Sequence, residues 1–211
     1  MIAHFAGLNI KHSRETILID DLRWHGYLAN LTVSEFEESY VPRLPESIVG
    51  SEFLSLYGGI TDPVTHIEAE KTYAVRIPVV HAVYESFRVC TFAELLRCQT
   101  TSEQQRFLLG ELMYQSHASY SACGLGSAGT DTLVKLVKAE GKDRGLYGAK
   151  ITGGGSGGTV VVLGRRDAET AISLVAERYA EQTGQVPHIF RGSSPGSASF
   201  GHLRVRRRPS V

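Results

Sequence analysis

The chain has 211 residues, 42% of them hydrophobic and 21% charged, a size and composition that allow one well-buried core and exclude a disordered or membrane-embedded protein. Lys and Arg number 22, as do Asp and Glu, so no long-range positive field is available to gather nucleic acid. Three cysteines, Cys90, Cys98 and Cys123, form no Cys-x-x-Cys pair, which argues against a disulfide framework and a zinc site and predicts a reducing, cytoplasmic setting.

The N-terminal run from Met1 to Ile10 is apolar but has no basic flank, and Lys11 and His12 interrupt it before a secretory core is complete. No stretch approaches the roughly 20 apolar residues of a membrane span. Residues 1–75 read as an irregular, partly helical segment of the same folding unit as the rest, with turn clusters such as Trp24-His-Gly-Tyr and Tyr57-Gly-Gly-Ile. A short helix capped by Thr32 or Ser34 and a second over 46–56 are predicted within it. His81, Glu85 and Arg88 then stand at helical spacing, which allows a charge network either facing a cleft or lying on the surface.

Residues 76–211 read as one α+β domain. Ser102-Glu-Gln-Gln105 is a capping-box pattern opening a long helix that runs to Gly124. Leu133, Leu136 and Val137 mark one face of a second helix, begun near Thr130 or Asp131 and stopped by Gly141. A third helix has Asp167 as its expected N-cap, Ile172, Val175, Ala176 and Tyr179 at the spacing of one face, and Gly184 at its end. Strands are predicted over 147–152, 159–163, 188–191 and 201–206. The link between the first two is too short for a parallel crossover, so the order implies an antiparallel sheet backed by helices.

That link is Gly153-Gly-Gly-Ser-Gly-Gly158, five glycines in six positions, which permits backbone geometry and close approaches closed to other residues. The dinucleotide pattern Gly-x-Gly-x-x-Gly can be laid on it, but a strand follows where that motif requires a helix. The nucleotide P-loop pattern fails too, because no lysine follows Gly158. Two readings stay open: a tight bend where two backbones touch, or a loop whose N–H groups face phosphate.

With its flanks, Tyr147-Gly-Ala-Lys-Ile-Thr-Gly-Gly-Gly-Ser-Gly-Gly-Thr-Val-Val-Val162 resembles the third signature motif of the GHMP kinases, in the form found in their galactokinase and arabinokinase branch. Leu109-Gly-Glu-Leu-Met-Tyr-Gln-Ser-His117, with Ser119-Tyr-Ser-Ala-Cys-Gly-Leu-Gly-Ser127 and Gly129-Thr-Asp131, is similar to the long helix and turn of the plant-type members. The galactokinases proper have an acidic-aromatic pair where this chain has Ala122-Cys123. Weaker similarity extends the match over about 26–207.

The resemblance implies the C-terminal domain of a kinase that transfers phosphate from ATP, with Mg, to the anomeric hydroxyl of a monosaccharide such as L-arabinose or galactose. It also implies that the serine-rich ATP loop, the early sugar motif and the catalytic aspartate of the family have no counterpart here. The chain is therefore expected to be inactive without a nucleotide-binding half, with a sugar-binding or regulatory module, or one subunit of a split kinase, as the alternatives. By the same resemblance, Thr152, Gly153, Gly154, Gly155, Ser156, Gly157 and Gly158 support the phosphate loop and border the sugar. His117, Gly124, Gly126, Ser127 and Asp131 are the candidate cleft residues.

The residues taken singly have plainer readings. His117 on a buried helix is ordinarily a hydrogen-bonded core histidine, and Asp131 at a helix start is ordinarily a cap. Cys123 has no histidine beside it in the sequence and reads as a small buried thiol. Arg204, Arg206, Arg207 and Arg208 read as solvated charge at the chain end.

Overall fold

The computed structural model describes residues 1–13, 16–98, 102–192 and 195–203. The N-terminal part comprises α1 (Ile2–Phe5), the antiparallel pair β1 (Asn9–His12) and β2 (Ile17–Asp20), α2 (Val33–Ser39), β3 (Ser47–Val49), α3 (Gly50–Tyr57) and β4 (Thr72–Ala74), which pairs with β3. Thr32 caps α2 by accepting from Glu35 N–H at 3.3 Å, as its position before an amphipathic run predicts. The helix expected over 46–56 begins later than the pattern suggested, since Ser47–Val49 are spent on pairing with β4 before Gly50 turns the chain into α3. Phe36, Tyr40, Leu44, Trp24, Leu31 and Ile2 bury together, and Val83 of α4 (Arg76–Arg97) completes the cluster. The N-terminal segment thus closes its core only against that helix.

The 22-residue α4 packs beside α5 (Glu103–Ala122). Ser102 and Gln105 form the expected capping box at the start of α5. Next come α6 (Ala128–Glu140), β5 (Leu146–Ile151), β6 (Val160–Gly164), α7 (Glu169–Thr183) and the short α8 (Ser197–Phe200). β5 and β6 are antiparallel, with Ile151 opposite Val160 and Lys150 opposite Val161. On one face of this pair Val134 and Val137 of α6 and Ala171, Val175 and Tyr179 of α7 bury against Leu146 and Ala149. On the other face α5 lies directly on β5. This contact is possible because Gly110 faces Gly148: a β-carbon on Gly110 would overlap the Tyr147 carbonyl and stand 3.0 Å from Gly148 N. The α+β architecture, an antiparallel sheet backed by helices, is the one the element order implied.

Three details depart from the sequence reading. Asp167 does not cap α7; it accepts from Arg165 Nε at 3.1 Å, and Ala168 holds the cap position without a side-chain bond. Residues 188–191 form no strand: Phe190 is 78% exposed, and among the described residues they join no sheet ladder. Of the expected strand over 201–206, residues 201–203 carry no regular structure, while Arg204 to Arg206, like Arg207 and Arg208, lie outside the described residues. Among the described residues no helix is long and apolar enough to cross a membrane.

Candidate functional site

The glycine loop connects β5 to β6 and rests on the turn between α5 and α6. At its base Thr152 N–H donates to Thr159 O at 3.1 Å, continuing the strand pairing by one step. Beyond that step the chain needs left-handed backbone: φ is +70° at Gly153, +92° at Gly155 and +52° at Ser156. Gly155 also has no room for a side chain, because a β-carbon there would stand 2.6 Å from Leu125 Cβ and 2.9 Å from Leu125 O. Ser156 N–H donates to the same Leu125 carbonyl at 2.6 Å. Gly153, Gly154 and Gly158, by contrast, have nothing within 4 Å of a built β-carbon and face open space. The loop is thus a close backbone contact on its Leu125 side, as the tight-bend reading expects, and open backbone on the other.

The turn beneath it is built from the remaining candidate residues. Gly124, at φ +74°, ends α5, and Leu125 N–H reaches back to Tyr120 O at 3.0 Å. Gly126 packs so that a β-carbon would meet Ser121 Oγ at 2.5 Å. Ser127 is the N-cap of α6 and forms a capping box with Thr130, so its hydroxyl is committed to the helix end. This moves the helix start three residues ahead of the predicted Thr130 or Asp131 and frees Asp131 from capping. Asp131 instead accepts from Ser121 Oγ at 2.8 Å and pairs with His117 Nε2 at 3.1 Å.

His117 is 7% exposed, and its Nδ1 accepts from Ile151 N–H at 3.3 Å. Burial lowers its pKa below the ordinary imidazole value, against the opposing pull of Asp131. The imidazole is therefore a bonded core group, as its setting on a buried helix predicts, and the amide it holds lies two residues before the loop. Of the candidate residues, His117 and Asp131 are joined to each other and to the ends of α5 and β5, Gly155 and Ser156 rest on the 124–127 turn at Leu125, and Gly153, Gly154 and Gly158 stand open.

A second polar cluster lies between α4 and α5 and takes in His81, Glu85 and Arg88, which are buried or half-buried rather than on the open surface. Arg88 Nε donates to Glu85 at 2.7 Å with side chains only 10% and 17% exposed, and Ser116 Oγ donates to the same carboxylate. His81 Nδ1 lies 2.8 Å from Ser119 Oγ, and its ring meets Tyr120 edge-on at 4.7 Å. The ammonium of Lys150 stands 5.1 Å over the other part of this group, the Tyr120 ring. Lys150, Ser116 and Ser119 lie within the motifs that carry the resemblance, which do not single them out; the packing of α5 on β5 and α4 unites them. Cys123 is half-buried and burial raises its pKa, in keeping with the small buried thiol expected of it. Among the described residues no group of three or more His, Cys, Asp or Glu side chains converges as metal ligands would.

Compared with known proteins, residues 103–181 match the family described as GHMP kinases C terminal. Over these residues the chain carries a GHMP kinase C-terminal domain. It is 48% identical over 193 residues to an L-arabinokinase of Arabidopsis thaliana, covering 88% of this chain and 18% of that protein. Galactokinases of Clostridium beijerinckii and Fusobacterium nucleatum are 30% and 29% identical over 71% and 75% of this chain. The chain spans 35% and 32% of their lengths, so it corresponds to a fraction of each relative. The matched GHMP segment contains α5, α6, β5, β6 and most of α7, which are the elements that position the loop and the turn.

Proposed function

We propose that this chain is the substrate-side, C-terminal portion of an ATP-dependent sugar-1-kinase acting on L-arabinose or galactose, and that it is inactive until a nucleotide-binding half completes it. The observation that carries this reading is the glycine loop: anchored to Leu125 on one side and open at Gly153, Gly154 and Gly158 on the other, within a domain similar to L-arabinokinase. A loop so held presents fixed backbone toward an anion without reorganising, which is what phosphoryl transfer requires of its surroundings.

ATP would supply the phosphoryl group and magnesium the neutralising charge. The residues present suit the phosphate side of that chemistry through the open backbone of the loop; they offer no described cluster of acidic ligands for magnesium, whose ligands are then assigned to the other half. Thr152 and Ser156 contribute hydroxyls beside the sugar in binding roles. The division into a segment over 1–75 and a domain over 76–211 of one unit is supported by Val83, which closes the N-terminal core from α4. A cytoplasmic location follows from this reading, since ATP-dependent sugar phosphorylation draws on the cellular nucleotide pool.

The test is reconstitution. The purified chain alone is expected to leave ATP unhydrolysed in the presence of L-arabinose or galactose, and addition of a nucleotide-binding half from an L-arabinokinase is expected to restore sugar phosphorylation. Turnover by the chain alone would overturn the inactivity claim. Sugar binding in calorimetry without turnover in any mixture would instead favour a binding or regulatory module.

A further inference from the structure

α5 and β5 run side by side, and the contact of Gly110 with Gly148 sets their register. From Gly110 to His117 a helix climbs about 10.5 Å at 1.5 Å per residue. From Gly148 to Ile151 a strand advances about 10 Å at 3.3 Å per residue. The two distances match, so the glycine contact brings the His117 ring to the last residue of β5. There Ile151 N–H points away from β6, and in place of another strand it meets His117 Nδ1 at 3.3 Å. The side chain thus takes the part of a neighbouring strand at one rung of an edge that pairs with no strand among the described residues.

This bond is possible in only one protonation state. A ring nitrogen that accepts carries no proton, so the neutral ring has its proton on Nε2, and Nε2 stands 3.1 Å from Asp131 Oδ1. Asp131 is held in turn by Ser121 Oγ at 2.8 Å, on the last turn of α5 before the segment that carries Leu125. We infer that His117 is a positioning residue: as the neutral, Nε2-protonated tautomer it fastens the end of β5 to α6 and to the 124–127 turn, and so fixes where the glycine loop begins relative to the Leu125 carbonyl that holds its middle. Only the catalytic consequence of this fastening rests on the kinase reading, in which the loop faces phosphate; the fastening itself does not.

The experiment uses the uniformly 15N-labelled chain, with no sugar or nucleotide. Long-range 1H–15N spectra of the histidine rings are expected to show His117 with a protonated Nε2 and a bare Nδ1 at neutral pH. A protonated Nδ1 would overturn the inference at once, whatever any variant does. Two substitutions then separate the two bonds. His117→Asn keeps an acceptor near the Nδ1 position and is expected to preserve hydrogen-exchange protection at the Ile151 amide. His117→Gln keeps a donor near Nε2 but leaves Ile151 N–H without an acceptor, and is expected to lower that protection about tenfold while shifting the amide resonances of Gly153 to Ser156. Equal protection at Ile151 in both variants, or loop resonances indifferent to the loss, would also overturn it. If the loop is fastened as described and reconstituted kinase activity is nevertheless absent, the functional reading fails and the positioning role stands.

Discussion

Replacing Gly110 with alanine is the sharpest test of how α5 lies on β5. At an open position in the middle of a helix the change would stabilise the protein by about 1 kcal/mol, because glycine loses more backbone freedom on folding. Here the new methyl would overlap the Tyr147 carbonyl and come within 3.0 Å of Gly148 N. Both are backbone atoms of the strand that α6 and α7 pack against from behind. No rotamer change relieves such a clash; the helix must lift from the strand, carrying buried Leu109 and Met113 with it. Against backbone that cannot step aside, overpacking costs about 3 kcal/mol, the upper end of the usual range, so after the gain of about 1 kcal/mol the net effect is a loss of about 2 kcal/mol. For a chain of this length that corresponds to a fall of about 4–8 °C in Tm, measured by circular dichroism at 222 nm. Gly154→Ala is the control, since nothing lies within 4 Å of its built β-carbon, and its Tm is expected to stay within about 1 °C of the parent. A Gly110→Ala protein as stable as the parent, or more so, would refute the close helix–strand contact.

Gly155→Ala combines a left-handed φ of +92° with a β-carbon 2.6 Å from Leu125 Cβ; it is expected to cost about 2 kcal/mol, read as a shifted midpoint in urea. Ser127→Ala removes the hydroxyl that accepts from Thr130 N–H at the start of α6 and is expected to cost about 1 kcal/mol, with Ser127→Asp restoring most of it in the same titration. Burial lowers the pKa of both His117 and His81 in the folded chain relative to about 6.5 in the unfolded one. The unfolded chain therefore binds more protons below that pH, so these groups leave stability untouched above about 6.5 and reduce it as pH falls toward their folded values. A Tm lower at pH 5.5 than at pH 7.5 is expected, and identical midpoints would contradict the buried, neutral placement of the two rings.

Local chemistry accounts for what was legible in the residues alone. The capping box of Ser102 and Gln105, the Thr32 cap, the closing glycines at 141 and 184, and the β5–β6 pair around a glycine turn all depend on residues a few positions apart. Such signals survive without knowledge of the rest of the chain. Asp167 and Asp131 show the limit of that logic. Each stands where a cap belongs, but Arg165 takes the first and His117 with Ser121 the second, because a short carboxylate side chain goes to the strongest donors that packing brings near it.

Only the tertiary structure could decide the site. His117 and Ile151 are 34 positions apart, His81 and Ser119 are 38, and Gly155 meets Leu125 across 30 residues of chain. Periodicity marks which face of α5 is buried, but not which strand it faces or in what register. That register is settled by one contact, Gly110 on Gly148, where two missing side chains let the helix approach the strand closely enough for an imidazole to reach a backbone amide. Sequence specified the residues able to bond; the packing of α5 on β5 and on α4 determined which of them do.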